Sequence, residues 1–405
     1  MKKKIFILSP SYPTSSDTVS SIFVQDQARA LSRDYFVCVA LPEMRGWRSL
    51  NSSFSCFHSW DDYDGDIHIF RDCRFARLPF TFMSTASALF RSAESSFNRF
   101  MHLFGLPQLI AAHFTLPSGY VGALLSQKYN VPLVIHEHAS RFSDFLESPI
   151  SRKWVRYAFQ QASEIISVSP FSATALQEHF SKRPIKVVGN IVDTDFFKPD
   201  YTRGTDGQIS FVSVGRLASQ KGLEFLLQAI GILHKQGCAS FFVHIIGDGP
   251  LRNSLQQLAA DLHVSHLCKF HGALKRLHIG PFLEKATAVI QASLHESFCI
   301  TLAEALSSGV PVISTRSGGP EHFLNSSNGL IVDKADSVAL AGAMSLFIDR
   351  KISFDPRILR ANIVSRFGMD SFIRQVSDIY EPVIRHGQAQ RYNRSTHLHQ
   401  VAKSV

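Results

Sequence analysis

One pattern constrains this chain more than any other: short apolar runs alternate with helix-period segments from one end to the other. That alternation is the mark of βα units building a parallel sheet. In the first half, strands are expected at 4–9, 35–41, 67–70, 109–112, 132–136, 164–168 and 185–188, with helices at 23–31 and 119–128 between them. Ser169-Pro170 reads as an N-cap followed by proline at the first helical position, opening a helix over 170–180. The second half repeats the grammar. Strands are expected at 209–214, 241–246, 268–271, 287–291, 311–314 and 329–332, and helices at 222–236, 250–262, 281–285, 301–308 and 336–349.

Between the halves, residues 190–208 (NIVDTDFFKPDYTRGTDGQ) are rich in Asp, Thr, Gly and Pro, a linker composition. The boundaries read as a domain over 1–190, a linker over 191–207 and a second domain from 208 to 369. A length of 405 residues suits two or three domains, and 45% hydrophobic with 19% charged residues excludes disordered, collagen-like and coiled-coil chains. Six cysteines with no C-x-x-C pair support neither a disulfide scaffold nor a zinc ribbon, and read as free thiols in a reducing compartment. The start, MKKKIFIL, has too short an apolar run for a signal peptide and reads as a first strand. No stretch reaches the 18 apolar residues of a membrane span.

The net charge is +9, with 20 Lys and Arg against 15 acids in residues 1–190, and four arginines and lysines without an acid in 385–405. Such an excess suits nucleic acid or an anionic membrane surface, but no nucleic-acid motif is present. Residues 78–104 form an amphipathic pattern, with Leu89, Phe90, Phe97, Phe100, Met101 and Phe104 on one stripe, and Arg91 and Arg99 nearby. Arg71, Arg74 and Arg77 precede it. Two readings fit: a core helix, or a membrane-surface helix with arginines at the head groups.

Three clusters bear on chemistry. HESFCITLAEALSSGVPVISTRSGGPE (295–321) sets Glu296 in a loop and Glu304 on the following helix, with the helix start near Phe298, Cys299, Ile300 and Thr301 favouring an anion. GRLASQKG (215–222) follows a strand and presents Arg216 and Lys221 after Gly215, a pair suited to a diphosphate. GDGP (247–250) lacks the third glycine of a dinucleotide fingerprint and reads as a strand-to-helix turn. His136 and His138 share a strand face and His113 is a neighbour, but no clean metal-ligand set emerges.

Together these motifs resemble glycosyltransferase family 4. NIVDTDFF (190–197), SIFVQDQARALS (21–32) and PLVIHEHAS (132–140) add to the resemblance, which is strongest over 209–332. It implies an α/β chain of the GT-B fold, with two Rossmann-like domains facing each other across a cleft, donor in the second and acceptor in the first. A C-terminal helix over 370–387 would cross back to the first domain, leaving a basic tail, 388–405, without regular structure. The implied activity is retaining transfer of a sugar from a nucleotide-sugar donor to a saccharide acceptor, lipid-linked, in cell-surface polysaccharide or glycolipid synthesis.

By the same resemblance Arg216 and Lys221, after Gly215, hold the donor diphosphate. Glu304 binds the ribose, Glu296 contacts sugar hydroxyls, and His138 stands beside the transferred sugar. Phe298, Cys299, Ile300 and Thr301 bring the helix start to the donor phosphates. No cofactor or metal is expected, and the implied location is cytoplasmic, on the inner face of the membrane. Two departures stand out: Cys299 where the family has glycine, and a glycine-free loop after the first strand. The alternatives are a nucleotide-sugar epimerase of the same fold and a catalytically silent sugar-nucleotide-binding or scaffold subunit.

Overall fold

The computed structural model describes residues 2–14, 21–45, 58–75, 82–140, 142–180, 184–201, 208–238 and 240–402. They form two units, one of Met1–Val168, Ala173–Val188 and Phe372–Val405, the other of Ser169–Ser172 and Gly189–Ser371.

The first unit is built on an eight-stranded sheet: β1 (Lys4–Leu8), β2 (Phe36–Arg45), β3 (His58–Asp64), β4 (Ile67–Phe75), β5 (Leu109–His113), β6 (Leu133–Glu137), β7 (Glu164–Ser167) and β8 (Lys186–Val187). The spatial order is β3-β4-β2-β1-β5-β6-β7-β8. All pairs are parallel except β3 with β4, an edge hairpin that the sequence reading lacks. Its strand HSWDDYD is too polar to register as an apolar run, although Asp64-Gly65, with Gly65 at φ +58°, carries the hairpin-turn signal.

The second unit has a six-stranded, wholly parallel sheet: β9 (Ile209–Val214), β10 (Phe241–Ile246), β11 (Cys268–Gly272), β12 (Ala288–Gln291), β13 (Val312–Thr315) and β14 (Gly329–Val332). Its order is β11-β10-β9-β12-β13-β14, the doubly wound arrangement in which the order of strand addition reverses between β9 and β12. Each unit has its own core: Phe6, Ile110, Leu133 and Ile135 in the first, Phe211, Leu227, Val243 and Ile313 in the second.

Of the two readings of 78–104, the structure supports the core helix. A helix spans Phe82–Phe104, with Ala93, Phe97 and Phe100 fully buried against the sheet. Phe97 and Phe100 meet Phe6 edge-on, with ring centroids 5.0 and 5.5 Å apart. Leu89, Phe90, Met101 and Phe104 pack at the margin of the same core, so the stripe is turned to the sheet. Arg99 is drawn into an ion pair with Asp61, Arg71 lies between Glu43 and Asp62, and Arg74 pairs with Asp72. Only Arg91 of these is on the exposed side, bonded to Ser87; Arg77 lies outside the described residues.

The expected linker also reads differently. Over 191–201 the chain belongs to the second unit, with Ile191, Val192 and Phe197 buried. Arg360 donates to the carbonyls of Thr194 and Phe197, and Val192 N–H to Phe367 O. Residues 202–207 lie outside the described residues. The last helix runs Met369–Ala402, through most of the segment expected to be an irregular tail, and from residue 372 it belongs to the first unit. Tyr380 is buried there and its hydroxyl is 2.7 Å from His136 Nε2, while Tyr35 donates to Ser377. Helices at Pro149–Gln161 and Pro356–Phe367 were absent from the sequence reading.

Candidate functional site

The strand order reverses between the parallel neighbours β9 and β12, and such a switch point leaves a crevice at the carboxyl ends of the strands, where these sheets take ligands. The loops that leave these two strands carry Lys221 and Glu296, and they are tied together. Leu294 N–H donates to Gln220 O at 2.8 Å. Gly222, at φ +56°, lies so close to β12 that a Cβ would stand 2.2 Å from Ala292 O. The GDGP turn braces the same loop from the other side: Leu217 N–H donates to Asp248 O, and Leu251 N–H to Leu217 O, each at 3.0 Å. That turn is a structural support, as its sequence reads.

This bracing brings Lys221 Nζ within 2.5 Å of Glu296 Oε1. Both are largely buried. Burial is the largest influence and opposes the lysine's charge, but the charge and hydrogen bond of Glu296, with Cys299 nearby, together outweigh it and the ammonium pKa is raised. Two further donors converge on the same oxygen: Ser293 Oγ at 2.7 Å and Gln291 Nε2 at 3.1 Å. Glu296 is held from behind by the glycine pair after β13. Its N–H donates to Ser317 O and its carbonyl accepts from Gly319 N–H, at 3.0 and 2.9 Å. A Cβ on Gly319 would fall 2.4 Å from Phe298 N, so only glycine permits the approach.

Glu304 lies on the helix Ile300–Ser307 and pairs with Arg276 at 2.9 Å. Arg276 also lies over the Phe197 ring, 5.0 Å from its centroid. Arg276 was missed by sequence reasoning, because a lone Arg between Lys275 and Leu277 carries no spacing signal. Arg216 is exposed on its loop, which begins at Gly215. The Phe298 side chain is core, packed on Phe323 and Phe367, so only its backbone is left to a ligand. Ile300 and Thr301 form the first turn, whose N–H groups a helix leaves without intrahelical partners. Cys299, at the family's glycine position, adopts φ +68°, the left-handed region glycine favours. The geometry of the glycine is thus kept at the cost of strain, with a buried thiol whose pKa burial pushes up.

His138 belongs to the first unit, just past β6. Its ring stacks on His113, centroids 5.2 Å apart, and His113 Nδ1 is 3.0 Å from His138 Nε2. His136 also lies near-parallel to His113, centroids 4.9 Å apart, and the His136 and His138 rings are 6.4 Å from each other. Burial pushes the His136 pKa down to about 3, and burial with the neighbouring imidazoles lowers that of His113. Between the histidines sits Glu137, whose carboxylate accepts from the N–H groups of Thr115, His138 and Ala139. It fixes the backbone that carries His138. The sequence displays it only as the middle letter of HEH. Among the described residues, no cluster of three His, Cys, Asp or Glu is placed to hold a metal ion.

Comparison with known proteins covers both units. The model for glycosyl transferases group 1 matches residues 198–364, and that for Glycosyltransferase Family 4 matches 23–196. An uncharacterized glycosyltransferase of Methanocaldococcus jannaschii is 29% identical over 229 residues, 56% of this chain and 61% of that one. A lipopolysaccharide core biosynthesis glycosyltransferase of Rhizobium meliloti is 30% identical over 197 residues, 47% and 55% respectively. The match thus spans between half and two thirds of the length of these relatives. A D-inositol 3-phosphate glycosyltransferase of Corynebacterium kroppenstedtii is 28% identical over 311 residues, 69% of this chain and 68% of that one. Among solved structures, sucrose-phosphate synthase from Thermosynechococcus elongatus superposes with a TM-score of 0.76 at 18% identity, covering 95% of this chain and 100% of that one. Anabaena HepE in complex with UDP-glucose gives 0.72 at 20% identity, covering 94% and 99%. Two parallel-sheet α/β domains of the GT-B kind, each matched in turn by one of the two models, make this chain a member of glycosyltransferase family 4.

Proposed function

We propose that this protein is a retaining glycosyltransferase that moves a sugar from a nucleoside-diphosphate sugar to a saccharide hydroxyl. The observation that carries the reading is the Lys221–Glu296 pair at the reversal of the second sheet, with Arg216 on the same loop. The cation waits where a diphosphate would arrive, and the carboxylate is within reach of the sugar attached to it. Departure of the diphosphate puts negative charge beside Lys221 and Arg216, and preorganised positive charge there lowers the barrier. The acceptor oxygen bonds to the anomeric carbon as the bond from that carbon to the phosphate oxygen breaks. The electron pair stays on the diphosphate, and its oxygen takes the acceptor's proton. Attack from the leaving-group face preserves the configuration. Glu304 holds the ribose; His138, whose backbone Glu137 fixes and whose ring meets His113, is the first unit's contribution to the proposal. No metal enters this scheme, so turnover in EDTA is expected to equal turnover without it.

The HepE complex makes UDP-glucose the first donor to try, and the lipopolysaccharide-core relative supports a lipid-linked saccharide acceptor. Placement on the inner face of the membrane rests on the basic balance of residues 1–190, not on the helix Phe82–Phe104. Salt-sensitive sedimentation with anionic vesicles is the expected behaviour, and no binding at any ionic strength removes this part of the proposal.

A thermal-shift screen of nucleotide sugars tests the donor, because a ligand bound only by the native state raises the melting temperature. Lys221→Ala should then lower transfer by more than tenfold, up to a loss of roughly 3–4 kcal/mol of transition-state stabilisation, in a folded protein. Near-normal turnover in that variant would refute the donor-site assignment. Product formation that needs an acceptor separates transfer from epimerisation or silent binding.

A further inference from the structure

We infer that Gln291 is a positioning residue that fixes Glu296 so that a single carboxylate oxygen, Oε2, meets the donor sugar; the inference rests on the reading of Glu296 as the sugar's hydrogen-bond acceptor. Gln291 is the last residue of β12 and is buried, at 3% exposure. Its Nε2 donates to Glu296 Oε1 at 3.1 Å and to Ser293 Oγ at 2.9 Å. With Lys221 and Ser293, three donors act on Oε1. Among the described residues no hydrogen bond reaches Oε2. An ionised carboxylate has about four lone-pair sites over its two oxygens. Here the protein loads one oxygen and leaves the other to a ligand.

The amide orientation has a cost that shows its purpose. With Nε2 turned to the carboxylate, Gln291 Oε1 is buried without a partner. A buried acceptor left unmade is unfavourable, so an apolar side chain would suit this strand end better if packing were all that mattered. The neighbouring β12 residues, Val289 and Ile290, are apolar and fully buried. A glutamine persists here because its N–H serves the site.

Lys221 explains why a neutral donor is needed. It is the charged member of the trio, and a diphosphate competes with Glu296 for its ammonium. Gln291 and Ser293 have no such competitor. They hold Oε1 while Lys221 turns to phosphate, and Oε2 keeps its aim at a sugar hydroxyl through the change. Thr315 Oγ1 fastens this corner by donating to the Ser293 carbonyl.

The test measures the sugar increment: the ratio of the protein's affinity for a nucleotide sugar to that for the matching nucleoside diphosphate. It is read by titration calorimetry with UDP and UDP-glucose, or with whichever pair the donor screen selects. Gln291→Met keeps the length and removes the donor, and Gln291→Glu supplies a donor only when protonated. In Gln291→Met the increment should fall at least tenfold while diphosphate affinity stays within twofold. In Gln291→Glu it should be small at pH 8 and recover as the pH falls to 5.5, because two adjacent carboxyls then share a proton. A merely structural role would not produce that pH dependence. Glu296→Gln separates the two layers of the argument. If it keeps the full increment, the reading of Glu296 has failed. If it loses the increment while Gln291→Met retains it, or Gln291→Glu stays flat with pH, the positioning role of Gln291 is overturned. Thermal melting controls for folding; Gln291→Met should melt no lower than wild type, since it removes an unpaired buried acceptor.

Discussion

Glu296 and Glu304 stand eight positions apart and share a residue type, yet their surroundings differ, and the proposed function gives them different work. Glu296 faces Lys221 and two neutral donors; Glu304 faces Arg276, which rests on an aromatic ring. Removing either partner of a buried ion pair leaves the other uncompensated, which costs more than the pair contributes. Glu304→Ala should weaken binding of free nucleoside diphosphate by at least about tenfold, or about 1.4 kcal/mol, through loss of the proposed ribose contact. Arg276→Ala should follow in the same direction, because it releases the Glu304 carboxylate. Glu296→Ala should leave diphosphate binding nearly intact and lower transfer. Titration of the diphosphate into the three variants decides; equal losses in the Glu296 and Glu304 variants would mean the roles are misassigned.

At the level of elements, the helix Phe82–Phe104 shows how one amphipathic pattern supports two destinies. Its stripe packs on β1, β2 and β4 through Phe6, Phe36 and Phe70 rather than on a lipid surface. Phe97→Ala should therefore cost about 3–5 kcal/mol of stability, as a large core truncation does. Arg91→Glu, on the exposed side, should change stability by no more than about 0.5 kcal/mol. Urea denaturation of both variants checks this, and similar small effects would restore the surface reading. The missed helices teach a different lesson. Ser148-Pro149 and Asp355-Pro356 carry the same cap-then-proline signature that locates the helix at Pro170. Ser148 Oγ accepts from Ser151 N–H and Asp355 Oδ1 from Arg357 N–H, as Ser169 Oγ does from Ser172 N–H. The signal was present in both, and Pro149–Gln161 adds an apolar face through Val155, Ala158 and Phe159, whereas Pro356–Phe367 lacks a clear apolar period.

For the whole molecule, the first unit is completed by the far end of the chain. Val376, Tyr380 and Ile384 are buried in it, with Lys3 paired to Glu381 and Tyr35 bonded to Ser377. Truncation after residue 371 should lower the melting temperature sharply or abolish soluble expression, whereas removal of the last few residues should not. The histidine stack gives the molecule an acid limit. His113 and His136 have folded pKa values depressed below an unfolded value near 6.5. The unfolded chain therefore binds protons that the folded one refuses, and stability falls as pH drops below about 6.5, for His136 towards about 3. His136 contributes a slope of up to about 1.4 kcal/mol per pH unit in that window, and His113 acts in the same direction. His136→Gln should flatten the fall in chemical-denaturation free energy between pH 7 and pH 5; an unchanged slope would show that His136 titrates normally.

Strand positions, the two halves, and the loops bearing Arg216, Lys221, Glu296 and Glu304 were legible in the sequence, because apolar runs, glycine-flanked loops and caps are short-range signals. The GT-B expectation came from motifs that occur together in this sequence, and the two sheets, parallel apart from the β3–β4 edge pair, fulfil it. Tertiary structure alone decided what depends on residues distant in the chain. Lys221 meets Glu296 across 75 positions because β9 and β12 are neighbours in the sheet, and Tyr380 reaches His136 across 244. The pairing of Glu304 with Arg276, the convergence of Gln291 on one carboxylate oxygen and the inward turn of the helix Phe82–Phe104 belong to the same class. A period states that a face is apolar, and a motif that a charge is present; only packing supplies the partner each one meets.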